Sequence, residues 1–102
     1  MKNFKETNLD ENILKAISEM GFETPTSVQA KTIPHLLNSS VDLIATAQTG
    51  TGKTAAFGLP SIHLTDIKNK DTSTLILCPT RELCIQIAKD ITKYSKYVDG
   101  LN

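Results

Sequence analysis

The central feature of the 102-residue sequence is the run Ala47-Gln48-Thr49-Gly50-Thr51-Gly52-Lys53-Thr54. With alanine in place of the first glycine, it matches the pattern G-x-x-x-x-G-K-[ST] of phosphate-binding loops. The residues before it, Val41 to Ala45, predict a short buried strand. A helix is predicted from Lys53 to about Asp66, bent or divided at Pro60. The run therefore lies between a strand and a helix, which is the context that the pattern requires.

Each part of this run suits the binding of a nucleotide polyphosphate. Gly50 and Gly52 let the backbone bend so that successive N–H groups converge on phosphate oxygens, and the N-terminus of the next helix attracts the same anion. Lys53 reaches the β- and γ-phosphates, and the Thr54 hydroxyl can ligate Mg²⁺, so these two are the candidate catalytic residues. All eight residues are candidate ligands of the nucleotide. An ordinary glycine turn followed by an exposed lysine is the competing interpretation.

Two helices are predicted upstream of the run. The first carries Leu9, Ile13, Ile17 and Met20 on one face, begins after Asp10 as N-cap and ends at Gly21. The second begins at Thr26, because Thr26 and Gln29 have the spacing of a capping box. Pro34 is expected to interrupt it and to open a further short helical turn through Leu37.

A second strand and a long helix are predicted downstream. Residues 74–78 read Thr-Leu-Ile-Leu-Cys and predict a buried strand closed by Pro79. The helix that follows carries a narrow apolar stripe and is expected to end at Asp99-Gly100; the stripe consists of Leu83, Ile87, Ile91, Tyr94 and Val98. Strands that alternate with helices predict an α/β fold with a parallel sheet. Two parallel strands are too few for a stable sheet, so we expect the chain to be the front part of a larger domain.

Composition excludes several classes of protein. Lys and Arg number 11, and Asp and Glu also number 11, so the formal net charge is zero and a strongly basic nucleic-acid-binding surface is not expected. No apolar run approaches the roughly 20 residues of a membrane-spanning helix, and the N-terminus lacks the apolar region of a secretion signal. Cys78 and Cys84 have neither metal-ligand nor redox-pair spacing. They predict free thiols in a reducing cytoplasm. The lack of a long apolar run predicts no association with a membrane.

Three segments together resemble the DEAD-box RNA helicases. Residues 21–29, Gly-Phe-Glu-Thr-Pro-Thr-Ser-Val-Gln, are similar to the family's Q motif, and Phe4 lies seventeen residues before Gly21, as in that family. Ala47 to Thr54 resembles motif I, and Pro79-Thr80-Arg81-Glu82-Leu83 resembles motif Ia. The resemblance implies the N-terminal portion of a RecA-like P-loop NTPase domain, divided here into a helical Q-motif segment (1–38) and a partial ATP-binding domain (39–102). It also implies an ATP-dependent RNA helicase as the parent protein, with ATP and Mg²⁺ as cofactors.

The resemblance assigns the reading of adenine to Gln29. A carboxamide offers one kind of acceptor and one kind of donor, which match N6 and N7 of adenine, whereas guanine presents two acceptors, O6 and N7. ATP should therefore be preferred over GTP. Phe4 and Phe22 are expected to supply apolar surface around the base. The competing interpretations are a capping role for Gln29, which is expected to compete with adenine for the same side chain, and core packing for the phenylalanines.

The resemblance assigns RNA contacts to Thr80 and Arg81. A helix N-terminus with a hydroxyl group and an arginine is a good site for a backbone phosphate, and such a contact orients the strand without reading its sequence. The competing interpretation is a plain N-cap at Thr80 and a solvated charge at Arg81. His35 and His63 are interpreted as structural or surface residues.

The sequence lacks parts that hydrolysis requires. The Asp-Glu-Ala-Asp element that names the family does not occur in it, and neither does the family's Ser-Ala-Thr motif. Ser40 stands where the family often has glycine. The 102 residues alone are therefore expected to have little or no turnover, since the carboxylates that hold Mg²⁺ and orient water are not among them. Two alternatives remain open: another P-loop NTPase, such as a DNA helicase or a small kinase, and a truncated, non-catalytic nucleotide-binding module.

Overall fold

The computed structural model describes residues 3–46 and 52–101, and its regular elements are helices. A short 3-10 helix is followed by four α-helices; the 3-10 helix spans Phe4–Thr7, and α1 to α4 span Glu11–Glu19, Ser27–Asn38, Lys53–Leu64 and Arg81–Tyr94. All four α-helices were predicted, whereas the 3-10 helix was not. Across the described ranges, none of the helices is both long and apolar enough to span a bilayer.

Helix α3 lies at the centre of the packing. It contacts α2 on one side and α4 on another, while α4 also packs against α1. Every α-helix except α4 contributes a residue that is fully enclosed: Ile13 and Ile17 on α1, Ile33 on α2, and Leu59 on α3. The N-terminal 3-10 helix adds Phe4 to the same apolar cluster, and α4 adds Tyr94. Helix α3 is thus held between the helix that precedes it and the helix that follows it in the sequence.

The two predicted strands are not formed in the part of the chain that the structure describes. Residues 41–46 and 74–78 run without regular structure, and most of their apolar side chains face solvent, with Ile44 94% exposed and Leu77 84% exposed. A parallel strand needs neighbouring strands for its backbone hydrogen bonds and cover on both faces, and helices α1 to α4 offer neither to these segments. The prediction of two buried strands is therefore wrong for these residues, and the parallel sheet is not seen.

The ends of α1 follow the prediction in part. Gly21 has a φ of +87°, the left-handed conformation expected of a residue that ends a helix. Asp10 is the N-cap residue, but its side chain makes no capping hydrogen bond. Its backbone N–H instead donates to Nδ1 of His63 on α3, at 3.1 Å. Met20 was predicted to join the apolar face but is 37% exposed, because it lies beyond the last helical turn.

Neither proline interrupts its helix. Pro34 lies inside α2 and Pro60 inside α3, and both helices are continuous. A proline removes one backbone hydrogen bond, but the loss is offset where the helix buries an apolar face. Ile33 and Leu59, which immediately precede the prolines, are 0% exposed. Tertiary packing therefore overrides the local signal at both positions.

Helix α4 is shorter than predicted. It ends at Tyr94 rather than at Asp99-Gly100, and the Ser95 hydroxyl donates to the carbonyl of Ile91 at 2.8 Å. A serine at this position offers the backbone an alternative to continued helix. Val98 still packs against the core from the segment that follows. The apolar stripe is also shorter at its start, since Leu83 is 42% exposed.

A surface cluster ties the end of α1 to the segment after α4. The Glu19 carboxylate accepts hydrogen bonds from the Tyr97 hydroxyl and from Nζ of Lys96, the latter at 3.0 Å. These two bonds hold the pKa of Glu19 below its usual value, with Tyr97 the larger cause. The Lys15 ammonium lies 4.4 Å from the centre of the Tyr97 ring, which completes the cluster.

Candidate functional site

Gly52 stands at the point where the predicted phosphate-binding run enters α3. It is the N-cap of α3 and has a φ of +83°, in the left-handed region that a residue without Cβ adopts without strain. A Cβ atom placed on Gly52 would lie 2.3 Å from Nε2 of Gln29. Glycine is therefore needed here for two separate reasons, the backbone conformation and the close approach of the Gln29 side chain.

Gln29 is held at both ends of its amide. The predicted capping box is confirmed: Gln29 Oε1 accepts from the backbone N–H of Thr26 at 2.9 Å, and the Thr26 hydroxyl accepts from the N–H of Gln29 at 3.4 Å. Nε2 of Gln29 donates to the carbonyl oxygen of Gly52 at 3.2 Å. The side chain is only 3% exposed, so it joins the start of α2 to the start of α3 through a buried amide.

Capping by Gln29 does not use all the hydrogen-bonding capacity of the amide. A carboxamide has two acceptor lone pairs and two N–H donors. The capping bond from Thr26 uses one lone pair of Gln29, and the bond to Gly52 uses one N–H. One lone pair and one N–H remain, which is the pair that adenine N6 and N7 require. The expected competition between the two roles is therefore not required by the chemistry of the group. Because the amide is buried, a base reaches it only if its surroundings open.

The start of α3 fits an anionic ligand. No side chain caps its N-terminus, and its first turn contains no acidic residue. Lys53 is the first residue of the helix and is exposed, and Thr54 follows it, half-buried. The positive charge of Lys53 and the partial positive charge of the helix N-terminus therefore lie close together, with the Thr54 hydroxyl beside them. This arrangement suits a phosphate with its bound Mg²⁺. Ala47, Gln48, Thr49, Gly50 and Thr51 lie outside the described residues.

Phe4 and Phe22 lie next to each other, close to Tyr94. The ring centres of Phe4 and Phe22 are 5.8 Å apart, and those of Phe22 and Tyr94 are 6.0 Å apart in an edge-on arrangement. Phe4 is buried at 5% exposure, whereas Phe22 is half-buried. Both belong to the apolar core in this structure, and the contact of either ring with a base stays a prediction.

Thr80 and Arg81 form the start of α4, apart from the start of α3. The Thr80 hydroxyl accepts from the backbone N–H of Leu83 at 3.1 Å, so Thr80 is an N-cap, which was the competing interpretation of this residue. Arg81, the first residue of the helix, is exposed. Its guanidinium group is thus available to a phosphate, which is what a contact with a nucleic-acid backbone requires.

The contact between Gln29 and Gly52 is not predicted by the sequence. The two residues are 23 positions apart, so no local pattern signals their approach. Cys78 and Cys84 are both free thiols, as the sequence predicts.

Comparison with known families identifies the class of protein. The model of the DEAD/DEAH box helicase family matches residues 26–102 of this sequence. That range is well over half of the chain and includes Gln29, Gly52 and the start of α4. The chain belongs to the DEAD/DEAH box helicase family.

Named relatives are bacterial RNA helicases. The chain is 53% identical over 100 residues to the ATP-dependent RNA helicase CshA of Listeria monocytogenes, a match that covers 96% of this chain and 19% of that protein. It is 46% identical over 99 residues to the ATP-dependent RNA helicase DeaD of Escherichia coli, covering 97% of this chain and 16% of the relative. The chain therefore spans about a fifth or less of the length of these relatives.

Solved structures of the same family share the fold. A DEAD box protein from Methanococcus jannaschii superposes with a TM-score of 0.88 at 48% identity, over 92% of this chain and 26% of that one. Dbp5 of Saccharomyces cerevisiae, bound to RNA and ADP BeF3, gives a TM-score of 0.92 at 33% identity, over 96% of this chain and 25% of Dbp5. The helices of this chain are therefore arranged as in the RecA-like domain of DEAD-box helicases.

Proposed function

We propose that this chain is the N-terminal part of an ATP-dependent RNA helicase and that it supplies the ATP site and one RNA contact. The complete protein would couple ATP hydrolysis to local separation of RNA strands, in the cytoplasm. The relatives named above are ATP-dependent RNA helicases, and Dbp5 was solved with RNA and ADP BeF3, which supports both ligands. The observation that carries the proposal is the hydrogen bond from the buried amide of Gln29 to Gly52, which supports a role for Gln29 in reading the base of a nucleotide whose phosphates bind at the start of α3.

The sheet of the complete domain is part of the proposal. Most apolar side chains of residues 41–46 and 74–78 are exposed in this chain, an arrangement that costs free energy in water. We propose that both segments become strands of a parallel sheet when the remainder of the domain covers them. The division into a helical segment, 1–38, and a partial ATP-binding domain, 39–102, is retained on the same basis.

Residues at the start of α3 would hold the polyphosphate. Lys53 places its ammonium charge at the β- and γ-phosphates, and the N–H groups that open α3 donate to phosphate oxygens. The Thr54 hydroxyl would hold Mg²⁺, which when bound neutralises charge on those phosphates. The Asp-Glu-Ala-Asp element does not occur in these 102 residues, so we expect turnover only from a complete helicase.

The replacement Gln29→Glu separates adenine reading from helix capping. Glutamate keeps the acceptor of the capping box but lacks the donor that Gln29 offers to Gly52 and to adenine N7. In the complete protein we expect ATP affinity to fall about tenfold, because partner groups are left unpaired, and the preference for ATP over GTP to shrink. Calorimetric titration with Mg·ATP and Mg·GTP measures both quantities.

Thr26→Ala is the matched control for Gln29→Glu. It removes the capping hydroxyl at a cost of about 1 kcal/mol of stability but leaves the Gln29 amide in place. Its preference for ATP over GTP should stay that of the unaltered protein. If Gln29→Glu and Gln29→Ala both keep the full preference for ATP over GTP while losing stability, Gln29 serves only to join α2 to α3. The proposed role in reading adenine is then wrong.

Replacement of Arg81 tests the RNA contact. Arg81→Ala should weaken RNA binding to a similar extent for all sequences. It should also reduce the slope of log affinity against log salt concentration by about one. Fluorescence anisotropy with two unrelated single-stranded RNAs, at several salt concentrations, gives both results. Lys89→Ala, an exposed cation further along α4, serves as the control. A loss confined to one RNA sequence would contradict a backbone contact.

A further inference from the structure

Helix α2 contacts the chain at both ends of the segment that contains the predicted phosphate-binding run. Near the start of α2, Gln29 donates to the carbonyl oxygen of Gly52 at 3.2 Å, where the run enters α3. In the last turn of α2, Nε2 of His35 lies 3.2 Å from the carbonyl oxygen of Val41, where the segment begins. The contact of Gln29 belongs to the ATP site proposed above, whereas the contact of His35 has no role in it.

The backbone of Val41 is held at both of its polar groups. A carbonyl oxygen only accepts hydrogen bonds, so Nε2 of His35 carries a hydrogen and donates it to Val41. The N–H of Val41 donates to the Ser39 hydroxyl at 3.1 Å. Val41 follows Asn38, the last residue of α2, by three positions. A chain that leaves a helix without such bonds can take many directions, and these two bonds select one of them.

The end of α2 that carries His35 and Ser39 is itself well supported. The backbone N–H of Ser39 donates to the carbonyl of His35 at 3.0 Å, and Nδ2 of Asn38 donates to the carbonyl of Pro34 at 2.9 Å. Ile33, in the same part of the helix, is 0% exposed and belongs to the apolar core. The groups that hold Val41 are therefore attached to a part of the fold that the core keeps in place.

The two contacts bring both ends of the segment 41–52 to the same helix. Positions 29 and 35 of α2 are about 9 Å apart along the helix axis. The segment has twelve residues, and a fully extended chain of that length spans about 40 Å. Its ends are therefore much closer together than its length requires. The predicted phosphate-binding run lies between them in the sequence, so α2 holds both the residue that precedes the run and the residue where the run enters α3.

We propose that His35 and Ser39 are positioning residues of the ATP site. By holding Val41 they fix the direction in which the chain enters the phosphate-binding run, while Gln29 holds the other end of the segment. The N–H groups of such a run bind a polyphosphate only when they converge on it. If the entry is released, only a fraction of the molecules keep the competent arrangement, and the apparent affinity falls by that fraction. The inference rests on the proposed function, since it assumes that the run binds the phosphates of a nucleotide.

Calorimetric titration of the complete protein with Mg·ATP and Mg·GTP tests the proposal. His35→Ala removes the donor to Val41, and we expect affinity for Mg·ATP to fall about threefold, the modest effect of one solvent-accessible hydrogen bond. Affinity for Mg·GTP should fall by the same factor, because the change acts on phosphates that both nucleotides carry. Ser39→Ala should lower both affinities in the same way. His35→Gln, whose side-chain N–H replaces the donor, should restore most of the affinity.

His63→Ala is the matched control. His63 is also half-buried in the last turn of its helix, α3, and its Nδ1 accepts from the backbone N–H of Asp10 at 3.1 Å. It should lose stability to urea as His35→Ala does but keep its affinity for Mg·ATP. Equal affinities of the two variants, or equal losses for His35→Ala and His35→Gln, overturn the inference. If the unaltered protein does not bind Mg·ATP, the proposed function is wrong and the inference falls with it; normal binding by the unaltered protein and by His35→Ala overturns the inference alone.

Discussion

Lys53→Ala in the complete helicase is expected to lower ATP turnover by about a hundredfold or more. Lys53 is exposed at the first position of α3, whose first turn contains no acidic residue. Its ammonium group is therefore free to neutralise charge that develops on the transferred phosphoryl group. Removal of one preorganised donor of this kind costs about 10²–10³ in rate. Phosphate release under saturating Mg·ATP and RNA measures the loss.

The control for Lys53→Ala is Lys31→Ala, which removes an exposed lysine from α2, outside the predicted run. It should leave turnover unchanged. Lys53 makes no contribution to the buried core, so Lys53→Ala should unfold at the same denaturant concentration as the unaltered protein. Turnover of Lys53→Ala within a factor of a few of normal would contradict the assignment of residues 47–54 as the phosphate-binding loop.

The parts of the fold that the sequence predicts are those controlled by local chemistry. The N-caps at Thr26 and Thr80 depend on a side chain and an N–H three residues apart, and both are present. Gly21 ends α1 because glycine alone adopts a φ of +87° without strain. Each of these features is decided within one helical turn, so the residue types are sufficient to predict it.

The parts that the sequence does not predict depend on distant residues. Pro34 and Pro60 are local signals for a break, but the burial of Ile33 and Leu59 keeps both helices continuous. The strand prediction for 41–45 and 74–78 fails because a strand is completed by its neighbours, which local sequence does not supply. The pattern of apolar residues indicates which secondary structure a segment favours, but not whether the neighbouring strands that it needs are present.

The features of the candidate site also fall into two groups, those decided by local sequence and those that depend on the packing of distant residues. The spacing of Thr26 and Gln29 predicts the capping box, and the glycine-rich run predicts the start of α3. The bond between Gln29 and Gly52 joins residues from separate helices and follows only from the packing of α2 against α3. This bond brings the two sequence motifs next to each other, and it is therefore the most informative contact to disturb.

Gly52→Ala is expected to be the most damaging small substitution at the site. Alanine at a φ of +83° costs about 1–2 kcal/mol, and its Cβ atom would lie 2.3 Å from Nε2 of Gln29, so the amide must move. Both the stability of the complete protein and its affinity for Mg·ATP should fall. Urea denaturation and calorimetric titration measure the two losses.

Gly58→Ala is the matched control, in the middle of the same helix. Its Cβ atom would meet Ile91 at 3.5 Å and Tyr94 at 3.7 Å, which are ordinary contacts, and alanine favours the helix by about 0.5–1 kcal/mol. It should be at least as stable as the unaltered protein. The double variant Gly52→Ala/Gln29→Ala removes the clash but not the backbone strain, so the two losses should be less than additive. If Gly52→Ala is as stable as Gly58→Ala and binds Mg·ATP normally, the junction between Gln29 and Gly52 does not organise the site.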